Sequence, residues 1–363
     1  MDVDWDLFRD KLSTDEFLIN TLDRYESHLM GDPKLINLLR RGIYHVSQQD
    51  EAGALTCIEA AQALLGTSAA ASQLYPLYFF AAALPEALRI FTARSVSEDI
   101  IKDTLLDFQR WLDVYRAEHK GLYGFNRQHW LLHHFCGHLV QLGRLQFQVG
   151  EFGFPFTFYS SKIDGTWYCV ANVGLEIDES GHLAGTNRVV SKTWRTERKT
   201  LDGFLTAHVV DLEAGTVRAN PTTLDLEDMQ ILVQPDTAVL HLHIPTGGNL
   251  DDSAVTTAVR QAQRFFASWE VHQDIMVCDS WLLDPALASF LPENGNICKF
   301  MRRFAKFPVL RDKPQIYERV FGEGFNPSLL ATWPCSTSLQ RNLRAFILDG
   351  GTVYTTGGLL RHR

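Results

Sequence analysis

The segment Val239 to Asp252, VLHLHIPTGGNLDD, concentrates side chains and backbone suited to chemistry. Alternation along an extended strand sets Val239, His241 and His243 on one face and Ala238, Leu240, Leu242 and Ile244 on the other. An unperturbed imidazole titrates near neutral pH, so His243, at the end of the strand, suits a general base. Pro245 lacks an N–H and ends the ladder. Gly247 and Gly248 admit backbone conformations closed to other residues. A helix then begins between Asn249 and Ser253, and its first N–H groups suit an anion. Against this, Asp251 and Asp252 favour the helix dipole themselves and repel a phosphate. On chemistry alone the loop reads equally as a structural turn and as an anion site. It is neither a Walker loop nor a GxGxxG.

Two histidine arrangements have the spacing of a chelate. His241 and His243 point to one side of a strand, and His129 and His133 in HWLLHHFCGH stand at i, i+4 on a helix with Cys136 following. No carboxylate lies between Pro245 and Leu250, however, and Trp130, Leu131, Leu132, Phe135 and Leu139 also make the second segment read as a buried helix.

The elements that must position these residues fall into two parts. The first ~145 residues read as helix almost throughout. Ile101, Leu105, Phe108, Leu112 and Tyr115 recur at spacings of four and three, one face of a helix with a capping box at Ser95 and Glu98. TDEFLINTLDRYESHLMG is bounded by Thr14 and Gly31, and DPKLINLLRRGIYHV by an Asp32 cap with Pro33 in the first turn. Near Gly143 the pattern changes to strands: TWYCVANVGLEI, FLTAHVVDLEAGTVRA as two strands around a turn, and TAVLHLHI. A helix over DDSAVTTAVRQAQRFFASW and a strand over DIMVCDSWLL follow. NICKFMRRF reads as helix, and PQIYERVFG and GTVYTTGGLL as late strands. EFGFPFTFYSSK reads as a core strand, and Asp284-Pro285 as a capped helix start. The fold class expected is α+β, an all-helical N-terminal domain over 1–140 followed by a mixed, mostly antiparallel sheet with flanking helices over 141–363.

Composition narrows the function. With 363 residues, 45% hydrophobic and 21% charged, the chain has the make-up of a globular protein of two domains. Its most apolar run, LYPLYFFAAALPEALRIF, is interrupted by Pro76 and Pro85, and none reaches the ~18 residues of a membrane span. The acidic start MDVDWDLFRD lacks a signal-peptide pattern, and the six scattered cysteines form no CxxC pair, so a cytoplasmic protein with reduced thiols is expected. A net charge of -9 argues against nucleic acid, and the clusters RRG at Arg40 and MRRFAKF at Met301 are short.

Read together, LGRLQFQ at Leu142, HIPTGGNL at His243, SWLLDPAL at Ser280 and NICKFMRRF at Asn296 are similar to a family of bacterial acyltransferases. In that family a helical N-acyltransferase-type domain precedes a GNAT-like C-terminal domain. The resemblance implies acyl-CoA, acetyl or longer, as co-substrate and an amine of a small molecule as acceptor, with no metal and no nucleic-acid or membrane partner. It places Thr246, Gly247, Gly248, Asn249 and Leu250 at the pyrophosphate, with Arg303 beside it. The pantetheine would enter between the strand of His243 and the strand IMVCDSWLL. His243 is the first candidate base and Asp279 the second; Trp281, Asp284 and Asn296 read as structural. The loop departs from the superfamily's QxxGxG spacing. The alternatives are a metal-dependent enzyme using either histidine pair and a non-catalytic binding module on a degenerate GNAT fold.

Overall fold

The computed structural model describes residues 3–66, 70–185, 192–267, 274–310, 315–322 and 324–361. The chain divides into two compact units, Met1–Gln148 with His243–Gly247, and Val149–Leu242 with Gly248–Arg363. The first unit holds helices α1 (Trp5–Leu12), α2 (Glu16–Leu29), α3 (Pro33–Ser47), α4 (Glu51–Leu65), α5 (Ala70–Ala93), α6 (Glu98–Leu105), α7 (Asp107–Glu118) and α8 (Gln128–Phe135). Side-chain caps start four of them: Asp4, Asp15, Asp32 and Asp50 each accept a backbone N–H of the first turn. Asp32 and Pro33 open α3 as the sequence predicts, whereas α2 is capped by Asp15 and not by Thr14.

The helix expected from Ser95 onward is two helices. Ser95 has a left-handed φ of 56°, Ser97 takes the N-cap position without a side-chain bond, and the chain breaks between Leu105 and Asp107. Both pieces still bury the predicted stripe, Ile101, Leu105, Phe108, Leu112 and Tyr115. The apolar run around Pro76 and Pro85 forms one helix, α5, with both prolines inside it. Phe80 of α5 meets Phe108, Phe125 and Phe135 at centroid distances of 6.4, 5.9 and 4.7 Å in the core of this unit. Among the described residues no helix is long and apolar enough to cross a membrane. A hairpin follows, β1 (Leu139–Leu142) and β2 (Leu145–Glu151), turning at Gly143 with φ 59°.

Among the described residues the second unit carries two larger sheets, with a three-stranded and a two-stranded sheet besides. In one, β3 (Ala238–His243) pairs in parallel with β4 (Met276–Ser280), and β5 (Phe304–Pro308) pairs antiparallel with β6 (Thr356–Leu360), which pairs antiparallel with β4. The other is antiparallel throughout, in the order Thr216–Val217, Val209–Asp211, Trp167–Ala171, Phe156–Ser161 and Met229–Val233. Phe152, Phe156, Phe158, Val239, Val277, Phe307 and Leu359 form the core between them, so EFGFPFTFYSSK is core strand as expected. Gly357 is required in β6 because a Cβ there would overlap the Phe307 ring.

Helices α9 (Asp252–Phe266), α10 (Asn296–Met301), α11 (Gln315–Phe321) and α12 (Ser338–Leu348) flank the sheets. Ser268 and Trp269, included in the predicted helix, lie outside the described residues, as does Pro314. Two expectations are corrected here. IYERVF is helix α11, since Ile316 and Val320, four apart, are buried against Leu343 and Leu330. Phe304 opens β5 and does not end the preceding helix. The architecture is α+β, a helical N-terminal region followed by mixed sheets with flanking helices.

Candidate functional site

His243 ends β3 and is half-buried. Its Nε2 lies 3.2 Å from Gln148 Oε1, on β2. Its ring stands edge-on to Trp130 of α8, with centroids 5.1 Å apart at 82°. Trp130 is held in turn, because its indole N–H donates to Asp107 Oδ2 at 2.8 Å. Just beyond the strand, Arg144 Nη1 donates to the Pro245 carbonyl at 3.0 Å and pins the start of the glycine loop.

Asp107 is the centre of this arrangement. Only 2% exposed, it accepts from Arg110 and Gln146 on Oδ1, at 3.0 and 3.1 Å, and from the indoles of Trp111 and Trp130 on Oδ2, at 3.0 and 2.8 Å. Burial pushes its carboxyl up, but neighbouring positive charge and these donors outweigh burial and hold it below the usual carboxylate range. His134, 3.4 Å away, is fully buried, and burial pushes its own pKa down. We therefore assign it as neutral, its Nδ1–H donating to the Trp130 carbonyl at 3.1 Å and its Nε2 accepting from Gln146 at 3.3 Å. With His134 neutral, Arg110 and the N–H donors support the ionised Asp107, and His134 adds its charge once it is protonated.

A second carboxylate organises the other histidines. Glu51 of α4 takes His133 Nδ1 on Oε2 at 2.7 Å and His138 Nδ1 on Oε1 at 2.6 Å. Burial raises the Glu51 carboxyl, yet the two imidazoles win and hold it at about 2. His133 is therefore engaged by a carboxylate, and His241 donates from Nε2 to the Glu151 carbonyl at 3.0 Å. Among the described residues no three His, Cys, Asp or Glu are grouped so as to hold a metal ion. Among the described residues neither the His241/His243 pair nor the His129/His133 pair is completed into such a group.

The glycine loop takes the conformation its residues allow. Gly247 and Gly248 have φ of 83° and 68°, and no atom lies within 4 Å of where a Gly247 Cβ would stand. Thr246, Gly247, Gly248 and Asn249 are exposed, while Leu250 is buried and anchors the far end. The loop runs into α9, whose N-cap residue Asp251 makes no side-chain cap bond. Its carboxylate accepts instead from Asn296 Nδ2 at 2.8 Å. Asp252 is matched by Arg303, at 3.1 Å from Nε and 2.5 Å from Nη2, and Arg303 also donates to Thr256 at 2.7 Å. The two aspartates that speak against an anion are thus each engaged by a partner, and the side chain of the N-cap residue itself does not cap α9.

Asp279 lies on β4, half-buried, in register with Gly357 of β6. The parallel ladder between β3 and β4 consists of Leu240 with Met276 and His241 with Val277. On its other side β4 pairs with β6 from Val277 to Ser280. His243, Thr246 and Gly247 group with the first unit, and Asp279, Gly248, Asn249, Leu250 and Arg303 with the second.

Residues 139–360, more than half the chain, match the family described as the GNAT-like C-terminal domain. The chain belongs to that GNAT-like family. Residues 4–137 match the N-acyltransferase N-terminal domain, and the two matches place the chain among acyltransferases. Among solved structures, a mutant acyltransferase in complex with octanoyl-CoA is similar to this GNAT-like chain over 99% of its length and 100% of the other, with 19% identity and a TM-score of 0.54. An acyltransferase in complex with decanoyl-CoA and teicoplanin matches at 19% identity and a TM-score of 0.53, covering 98% of this chain and 99% of that one. A further acyltransferase–decanoyl-CoA complex matches at 22% identity and a TM-score of 0.51, over 82% of this chain and 68% of the other. At such identities the likeness is one of fold. No curated protein matches the chain at a significant level.

Asp107, Gln148, Trp130 and Glu51 were not foreseen as parts of the site. For Gln146 and Gln148 a signal exists in LQFQ, since strand alternation sets both amides on one face. Asp107 sits beside the apolar stripe of its segment, and nothing in the spacing marks it as buried.

Proposed function

We propose that this GNAT-like acyltransferase moves an acyl group from acyl-CoA to an amine of a small molecule, with 1–140 and 141–363 as its two domains. The observation that carries the reading is the continuous run from His243 through two left-handed glycines into α9, whose N-cap residue Asp251 makes no side-chain cap bond. A candidate base and a candidate pyrophosphate cradle thereby lie within about nine residues of each other along the sequence. When bound, acyl-CoA supplies an activated carbonyl, whose C–S bond breaks as the amine nitrogen forms the new C–N bond. His243 takes the proton that the nitrogen loses. Backbone N–H groups of Asp252, Ser253 and Ala254 hold the pyrophosphate. The similar structures with octanoyl-CoA and decanoyl-CoA support trying medium-chain donors, and the teicoplanin complex supports a small-molecule acceptor.

The test is calorimetric titration with acetyl-, octanoyl- and decanoyl-CoA and with free CoA, for wild type and Gly247→Val. A valine forced to φ 83° costs about 1–3 kcal/mol of local strain. Among the described residues, chain neighbours aside, no atom lies within 4 Å of its Cβ. We expect acyl-CoA affinity to fall tenfold or more while the protein stays folded. Absence of binding by wild type to all four compounds would overturn the reading.

A double-mutant cycle defines how Arg303 acts. Arg303→Met leaves Asp252 unmatched in the first turn of α9, and affinity for CoA is expected to fall several-fold. In the Asp252→Asn background the same substitution should cost little. An equal loss in both backgrounds would mean that Arg303 meets the phosphate itself.

A further inference from the structure

The first, helical unit buries polar side chains that acyl transfer does not use. Tyr25 of α2 is 7% exposed and Tyr75 of α5 is fully buried. Among the described residues neither hydroxyl meets a hydrogen-bond partner. Cys57 of α4 is a buried free thiol. Geometry places the three together. Tyr75 and Tyr78 stand three apart on α5 and so share one of its faces. The Tyr25 ring meets Tyr78 edge-on, with centroids 6.2 Å apart at 74°, so Tyr25 stands against the face that carries Tyr75. Burial pushes the Tyr75 phenol up, and Tyr25 and Cys57 are near enough to push it further.

A buried hydroxyl left without a partner destabilises a fold relative to the phenylalanine that would fill nearly the same space. Polar groups of a core that find no partner in the protein are as a rule bridged by an internal water. Each tyrosine hydroxyl both donates and accepts, and a thiol adds a weak third contact. None of the three carries charge at neutral pH, so the set offers no counter-charge to an ion and favours a small neutral molecule. We propose that Tyr25, Tyr75 and Cys57 line a binding site for one internal water, which joins α2 to α5 through the two hydroxyls. The site belongs to the stability of the helical unit and is independent of the acyltransfer reading.

The experiment compares the full chain with Tyr25→Phe, Tyr75→Phe and the double variant by thermal unfolding, alongside a high-resolution crystal structure of wild type. If a water bridges the hydroxyls, each phenylalanine removes a hydrogen bond and leaves the water short of a partner. Each single variant should then unfold about 2–4 °C below wild type. The double variant should lose clearly less than the two single losses added, because the first replacement already breaks the bridge. The crystals should show one water at about 2.7–3.0 Å from both hydroxyl oxygens. Hydroxyls that stand without a partner give the opposite sign, since phenylalanine is then neutral or stabilising. A single variant that unfolds at or above the wild-type temperature overturns the proposal, and so do strictly additive losses. A direct bond between the two hydroxyls, a water on only one of them, or crystals with no water at either oxygen overturns it as well.

Discussion

Replacing His243 by alanine lowers kcat by about 10²- to 10⁴-fold while leaving the Kd for acyl-CoA unchanged, as expected for loss of a general base that does not touch the pyrophosphate. Removing the imidazole takes one partner from Gln148 and one edge contact from Trp130. Trp130 keeps its bond to Asp107, so the fold is expected to survive. The comparison is made on the amine that wild type acylates fastest, by following released thiol, with calorimetry on the same preparations. Turnover within threefold of wild type would remove His243 from the chemistry and leave Asp279 as the carboxylate to test. Loss of turnover together with loss of binding would make His243 a support of the loop.

Asp107→Ala is the most damaging single change expected for the helical unit, at about 3–5 kcal/mol, the range for removing one partner of a buried ion pair. It removes the carboxylate that Arg110 pairs with and the Oδ2 to which the indoles of Trp111 and Trp130 donate, at a residue that is 2% exposed. Native domains have only about 5–15 kcal/mol to lose. Asp107→Asn keeps the shape and removes the charge, and it isolates the pH dependence. The folded carboxyl titrates below its unfolded value of about 3.9, so its contribution is present above that value and is lost as pH falls through the lower folded pKa. Urea unfolding followed by tryptophan fluorescence should therefore show the largest gap between wild type and Asp107→Asn above about pH 5. The gap should close on acidification below about pH 4. A gap independent of pH would mean that the carboxyl is not ionised in the native protein.

Much of the fold was legible because local rules decide it. Asp32 before Pro33 starts a helix wherever the following residues can bury a stripe, and Leu35, Leu39 and Val46 do so. The alternation of TAVLHLHI, the proline after it and the paired glycines determine a strand, its end and a turn with positive φ. These are statements about backbone sterics and short-range periodicity, and they hold without knowledge of what lies opposite. The late segment IYERVF was misread because β-branched and aromatic residues favour strands, while the spacing of four between Ile316 and Val320 favours a helix. Burial against Leu330 and Leu343 selected the helix.

The site divides along the same line. The sequence by itself determined that His243 precedes a glycine loop and that two aspartates follow it. It could not tell whether those aspartates repel a phosphate, because their effect depends on Asn296 and Arg303, forty-five and fifty-one residues away. It could not separate a chelating histidine from one held by hydrogen bonds, since His133 is claimed by Glu51 and His243 by Gln148 across eighty-two and ninety-five residues. Nor could it single out Asp107, whose importance comes from the donors of Arg110, Trp111, Trp130 and Gln146 converging on one buried carboxylate. The charge state of a group and the direction of a hydrogen bond are set by what surrounds them in space, and only the tertiary structure brings those surroundings together.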